Sequence, residues 1–345
     1  MLACVIYGAN DLRIANFPEP RPHDDEVLVR FGAGGICGSD LHYYHDGRVG
    51  DFAVREPMVL GHEVAGQVVR VGAKVTNLQA GQRVAVNPTR ACLRCRECLS
   101  GRSNLCRNVR FFGSARQFPH VHGAFAEFFT ALERQCVPVP ETLPYQAAAC
   151  AEPLAVTLHA VARAGSVLGR RVLVTGSGPI GVLTVASARL AGASEIVVTD
   201  LFDEPLAVAE RMGATRVINV RTKGSALEDL AGDGGSFDVA FEVSGNAQAL
   251  ENCIDATRPG GRIVQVGILP AGKTGMSINK VTAKELDLVG TFRFHEEFEW
   301  AVNELVRGSI DLEPVLSDTF RFADVNRAFA LASDRRKAMK VSLVA

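Results

Sequence analysis

The stretch Val172-Leu-Val-Thr-Gly176-Ser-Gly178-Pro179-Ile180-Gly181 narrows the fold of this chain more than any other part of it, because an apolar strand runs straight into G-x-G-x-x-G and then into a helical pattern. Gly176 permits the tight turn, Gly178 lets the backbone approach a pyrophosphate, and Gly181 lets the helix pack closely on the strand. The helix N-terminus adds free N–H groups and a partial positive charge, so a diphosphate is its natural ligand. The next strand, Glu195 to Thr199, ends at Asp200, 19 residues past Gly181. A strand-end Asp is often a plain turn residue, but in this context its carboxylate suits ribose hydroxyls and repels a 2′-phosphate. The following Leu201-Phe-Asp-Glu-Pro205 supplies no arginine for such a phosphate, which favours NAD over NADP.

Around this turn, apolar strands alternate with helices. Strands are expected at Val172–Thr175, Glu195–Thr199, Arg216–Asn219, Phe237–Val243, Gly261–Val266 and Leu286–Thr291, and helices at Ile180–Ala191, Pro205–Met212 and Ala247–Thr257. Such alternation means a parallel, doubly wound sheet covered on both faces. Before it, residues 1 to about 140 read as short β-rich runs punctuated by Gly and Pro, a small barrel or curled sheet. A helical stretch, Tyr145 to Ala164, joins the two textures. After Phe292 come two more helical segments, Phe298–Arg307 and Ala323–Ala332, and a final strand, Lys340–Val344, expected to return to the first domain. A length of 345 residues fits two domains. The formal net charge of −1 gives no global reason to expect a nucleic acid or membrane partner, so a small molecule in a pocket is expected.

Metal chemistry is written in two places. Cys92-Leu-Arg-Cys95-Arg-Glu-Cys98 followed by Cys106 is a C-x2-C-x2-C-x7-C run, and four thiolates from one loop can close a tetrahedral structural site. Iron–sulfur ligation begins in the same way but closes with a shorter spacer and a proline. Seven arginines in and around the lobe raise a zinc-stabilised nucleic-acid module as a rival, which the balanced overall charge disfavours. Separately, His62 and Glu63 stand together in an otherwise apolar and glycine-rich run, with Cys37 upstream and Glu152 downstream. These are the ligand types of an open zinc, where a vacant position acidifies a bound hydroxyl as it acidifies water. Ser39 and His42, close to Cys37, are placed to pass the released proton outward, although both types are also common as turn and surface residues.

Taken together, Gly61-His-Glu-x-x-Gly66-x5-Gly72-x2-Val75, the four-cysteine lobe, the glycine turn and Asp200 resemble, in order, the zinc-dependent medium-chain alcohol and polyol dehydrogenases. The resemblance implies a GroES-like catalytic domain over 1–148 with its zinc lobe at about 88–110, a Rossmann domain over 149–291, and a return to the catalytic domain over 292–345. Gly35-Ile-Cys-Gly-Ser-Asp-Leu-His-Tyr-Tyr44 is similar to the sorbitol dehydrogenase branch. There the equivalents of Cys37, His62 and Glu63 hold the catalytic zinc, with that of Glu152 near the metal or its water. Arg110-Phe-Phe-Gly-Ser-Ala-Arg-Gln-Phe-Pro-His-Val121, Phe241-Glu-Val-Ser-Gly245 and Phe292-Arg-Phe294 resemble the bacterial L-idonate 5-dehydrogenases. That implies a sugar acid or polyol substrate lined by Tyr43, Phe112, Arg116 and Arg293, with Ser244, Val266, Gly267 and Phe292 added to the cofactor contacts. It also implies two zinc ions per subunit and a homodimer or homotetramer. The segment from Ser114 to His122 departs from the polyol enzymes and is where substrate choice is expected to be set. No secretion signal or membrane span is legible, so a cytoplasmic location is expected.

Overall fold

Strand Glu26–Gly35 is the spine of the first half, buried at all but two of its ten positions. It pairs antiparallel with Glu63–Val71 on one side and, over its last residues, with Lys340–Val344 on the other, while its first half also pairs with Phe128–Leu132. The computed structural model, which describes residues 1–345, arranges this sheet in the order Cys136–Pro138, Arg83–Val86, Glu63–Val71, Glu26–Gly35, Lys340–Val344, Leu316–Arg321. A smaller sheet of Leu2–Gly8, Asp11–Asn16 and Met58–Val59 lies beside it. The two share an apolar core that includes Ile6, Phe31, Leu60, Phe125 and Phe329.

The second half is a six-stranded parallel sheet in the order Arg216–Asn219, Glu195–Asp200, Arg171–Thr175, Phe237–Glu242, Thr257–Gln265, Asp287–Gly290. Strand order reverses between Arg171–Thr175 and Phe237–Glu242, and the crevice at their carboxyl ends is where such sheets bind ligands. The period of two sends Val172 and Val174 to one face, against helices Ala151–Ala164 and Pro179–Leu190, and Leu173 to the other, against Ala247–Ala256.

Three local readings change. The expected helix from Tyr145 to Ala164 is two, Tyr145–Ala149 and Ala151–Ala164, parted at Cys150. Pro153 explains the break, since it has no N–H to bond back to Ala149. The segment of Ser39 and His42, residue types common in turns, is helix Gly38–Asp46, with Cys37 as N-cap residue and Asp40 accepting its N–H. Past residue 292 the chain divides: Phe298, Val302 and Leu305 of helix Glu297–Arg307 join the core of the parallel sheet, and the strands Leu316–Arg321 and Lys340–Val344 complete the first sheet. None of the helices is long and apolar enough to cross a membrane.

Candidate active site and metal centres

Two strands and a helix start bring Cys37, His62 and Glu63 together. Each offers one ligand atom, and the three lie within 4.8 Å of one another. Gly35 makes room for this, because a Cβ there would strike the Glu63 carboxylate. Asp40 is fully buried with Oδ1 unpartnered and 3.7 Å from His62 Nδ1, which leaves the other ring nitrogen for a metal. Burial pushes the Asp40 carboxyl up, and His62 opposes the rise. Both Glu63 oxygens accept from Lys340 Nζ at 2.8 Å, in a pair with 3% and 1% of side-chain surface exposed. Burial alone would depress the Lys340 ammonium, but the Glu63 carboxylate outweighs it and the net shift is upward. A carboxylate has about four lone-pair positions, so Glu63 can hold Lys340 and still face a cation. The donor set, thiol, imidazole and carboxylate converging without a free cation of their own, fits zinc.

Glu152, on helix Ala151–Ala164, lies outside that three-residue set but close enough to respond to it. Burial first, then Glu63 and Cys37, push its carboxyl up to about 8, against the pull of His62. Cys150 is likewise not in the set and sits in the core.

The four cysteines of the lobe converge more tightly in sequence. Cys95 Sγ lies 3.5 Å from Cys98 Sγ and 3.9 Å from Cys106 Sγ. A tetrahedral ion with 2.3 Å bonds needs sulfur–sulfur edges of about 3.8 Å, so this cage fits zinc without rearrangement. The backbone N–H of Arg94, followed by that of Cys95, draws the Cys92 thiol down to about 6, as a thiolate ligand requires.

At the glycine turn, Gly176 has φ 94, and a Cβ on Gly181 would collide with the Gly176 carbonyl. Gly178 meets nothing within 4 Å and has an ordinary φ of −66; it is the N-cap of helix Pro179–Leu190, where its missing side chain leaves the backbone open to a ligand. Asp200 Oδ2 accepts from Ser177 N at 2.7 Å, and Oδ1 accepts from Leu201 N and Phe202 N. Ser244 donates to the buried Glu242, which also takes the Gly245 N–H. Val266 and Gly267 bond back to the Glu242 carbonyl, so these cofactor candidates share one strand-end cluster.

Residues 23–141 match the family model of the alcohol dehydrogenase GroES-like domain, and residues 179–307 that of the zinc-binding dehydrogenases. L-idonate 5-dehydrogenase (NAD(P)(+)) of Escherichia coli is 41% identical over 93% of this chain and 92% of its own. Sorbitol dehydrogenase of Bacillus subtilis is 36% identical over 96% and 93%. This chain belongs to the zinc-dependent medium-chain dehydrogenases, in the sorbitol dehydrogenase branch. The crystal structure of the E. coli L-idonate 5-dehydrogenase superposes with a TM-score of 0.93 at 39% identity, covering 100% of this chain and 98% of that one.

In this dehydrogenase Arg293 adopts φ 55, a conformation rare for a side-chain-bearing residue. Its guanidinium lies over the rings of Phe111 (4.5 Å) and Phe292 (4.8 Å), and its Nη1 is buried with no partner. Burial, then the nearby Arg116, lowers it to about 10. Phe111 also meets the His62 ring at 5.3 Å, whereas Phe112 turns onto Phe129 at 6.0 Å. The ring shared by His62 and Arg293 is thus the neighbour of the one the sequence pointed to. Tyr43 is buried, and its hydroxyl accepts from Ala115 N at 2.9 Å, which ties it to the segment from Ser114 to His122. Arg116 is exposed on that segment.

Ser39 and His42 lie three residues apart on helix Gly38–Asp46, hence on one side of it, without a hydrogen bond between them. His42 is exposed and pairs with Asp46 at 3.1 Å. Sequence reasoning missed Asp40, Phe111 and Lys340. The Cys37-x-x-Asp40 spacing of a helix start could have revealed the first. Nothing local marks Lys340, whose partner is 277 residues away.

Proposed function

We propose that this dehydrogenase oxidises the secondary hydroxyl of a sugar acid with NAD, the favoured reaction being L-idonate to 5-keto-D-gluconate. The observation that carries the substrate reading is Arg293: a desolvated guanidinium with an unpartnered Nη1, one aromatic ring from His62, that feels Glu152 but forms no salt bridge with it. Such a group suits a carboxylate. Cys37, His62 and Glu63, with Glu152 beside them, would hold a catalytic zinc, which would supply the Lewis acidity that lowers the pKa of the substrate hydroxyl, and NAD would supply the hydride acceptor. Ser39 accepts the hydroxyl proton and His42, exposed on the same helix, hands it to solvent. The Gly176–Gly181 turn seats the pyrophosphate and Asp200 the adenosine ribose. Asp200 has no basic partner, which supports NAD, although the E. coli relative is named for both dinucleotides. A second zinc in the lobe gives two per subunit.

Sorbitol or xylitol is the second reading, favoured by the B. subtilis relative and by the capacity of arginine to donate to neutral hydroxyls. Edge strand Asp287–Gly290, with Leu288 36% exposed, supports a homodimer or homotetramer. Nine free cysteines support a reducing, cytoplasmic setting.

Initial rates of NADH formation from L-idonate, sorbitol and xylitol, repeated with NADP, test the reading. L-idonate with NAD is expected to dominate, and Arg293→Ala to cut kcat/KM for L-idonate about 30- to 150-fold while sparing sorbitol. Equal losses on both would remove the carboxylate contact. One zinc per chain instead of two would favour the other reading, a non-catalytic zinc- or nucleotide-binding protein on the same fold, against which the intact Cys37, His62, Glu63 and Glu152 set argues.

A further inference from the structure

The cysteine lobe reaches the substrate loop through one buried amide. Asn104 lies between Cys98 and Cys106 and is 6% exposed. Its Nδ2 donates to the Phe292 carbonyl at 3.0 Å and lies 3.4 Å from His159 Nε2. One hydrogen of the amide serves each, which makes His159 Nε2 the acceptor and places the ring proton on Nδ1, facing Glu297 Oε1 at 2.8 Å. Glu297 Oε2 then takes the His295 N–H at 2.7 Å, and the His295 ring meets Ser103 Oγ at 2.6 Å. The connection from residue 292 to 297 is therefore clipped at both ends, to the lobe and to helix Ala151–Ala164. Arg293 sits between the clips on a left-handed backbone.

We propose that Asn104 is a positioning residue for substrate recognition: by fixing the peptide at Phe292 it holds Arg293 in the left-handed conformation that aims the guanidinium into the site. No side-chain bond holds the buried Nη1, so the direction of this group is set by its backbone and by the rings it rests on. A buried amide that merely docked the lobe would be served by any backbone carbonyl. This one is spent on the residue next to a strained arginine whose relaxation to a right-handed conformation it opposes. The lobe thereby becomes part of the specificity apparatus as well as a folding unit. The inference rests on the reading that Arg293 touches substrate.

A double-mutant cycle of Asn104→Ala and Arg293→Ala tests it, with kcat/KM measured on L-idonate and sorbitol. Asn104→Ala is expected to lower kcat/KM for L-idonate about tenfold in the native background and to add nothing once Arg293 is gone. Equal losses in both backgrounds, or none in either, overturn the proposal. The carboxylate reading fails separately, if Arg293→Ala leaves the idonate-to-sorbitol ratio unchanged. Amide hydrogen exchange over 291–296 gives a second readout: it rises in Asn104→Ala with both zinc ions retained, and unchanged exchange overturns the proposal. Should that variant fold poorly, Asn104→Asp keeps the size, removes the donor, and is held to the same outcomes.

Discussion

The two candidate metal centres have a cysteine thiol in common and differ both in their other ligands and in how the chain makes them. The lobe takes Cys92, Cys95, Cys98 and Cys106 from one loop, most of them partly exposed, with little apolar core beneath. The catalytic cluster takes Cys37 from a helix start and His62 and Glu63 from the head of a strand, then surrounds them with Asp40 and with Lys340 from a distant strand. The lobe is therefore the centre expected to lose most without an ion, whereas the fold itself brings Cys37, His62 and Glu63 together.

Paired substitutions break that contrast if it is false. Cys37→Ser is expected to lower turnover at least about 10³-fold while the melting temperature stays near that of the parent. Cys98→Ser also leaves one zinc per chain, yet it is expected to lose several kcal/mol of stability, about 2–5 by analogy with other lost cross-links, before any loss of intrinsic turnover. Equal melting losses for the two variants would erase the distinction.

Lys340→Met sharpens it. With its only cation removed, buried Glu63 is expected to cost about 3–5 kcal/mol in the zinc-free protein. The cost should shrink when zinc is bound, because the carboxylate then faces another cation. Urea unfolding with and without chelator measures both, and identical losses would mean that Glu63 does not face the metal.

The smallest effect concerns the seam between the two regions. Burial raises the Glu297 carboxyl, but the His159 ring and the His295 N–H bring it net below its usual range. A depressed folded value stabilises above the unfolded pKa and fades as pH falls through the folded one. Glu297→Gln should therefore cost about 1–2 kcal/mol at neutral pH and almost nothing near about pH 3. A cost independent of pH would show that the pair contributes packing only.

The parts legible in the sequence are those whose partners are near in the chain. The glycine turn, its strand and helix, and the cysteine lobe are local arrangements, so spacing alone revealed them. His62 and Glu63 stood out as polar residues in an apolar run, and the structure does bring them to Cys37. Lys340 gave no such sign, because a Lys at the start of a final strand normally faces solvent and only the folded sheet turns it inward. Phe111 closes the two-residue strand Arg110–Phe111, whose pairing with Thr89–Arg90 fixes the direction of its ring, and Phe112 follows just outside that strand. The break at Cys150 was written in Pro153 but hidden by the alanines around it.

Lys340 has one more consequence. Its strand is not an edge added to a finished sheet: it lies between Glu26–Gly35 and Leu316–Arg321, and Lys340 bonds to the Ile36 carbonyl 304 residues earlier. During synthesis the first sheet must therefore wait, with a gap beside its spine, while the whole nucleotide domain is made and folds as a unit. Until residues 340–344 emerge, Glu63 has no counter-ion. The nascent protein can acquire its dinucleotide fold early, but the surroundings of Glu63 are complete only once residues 340–344 have been made.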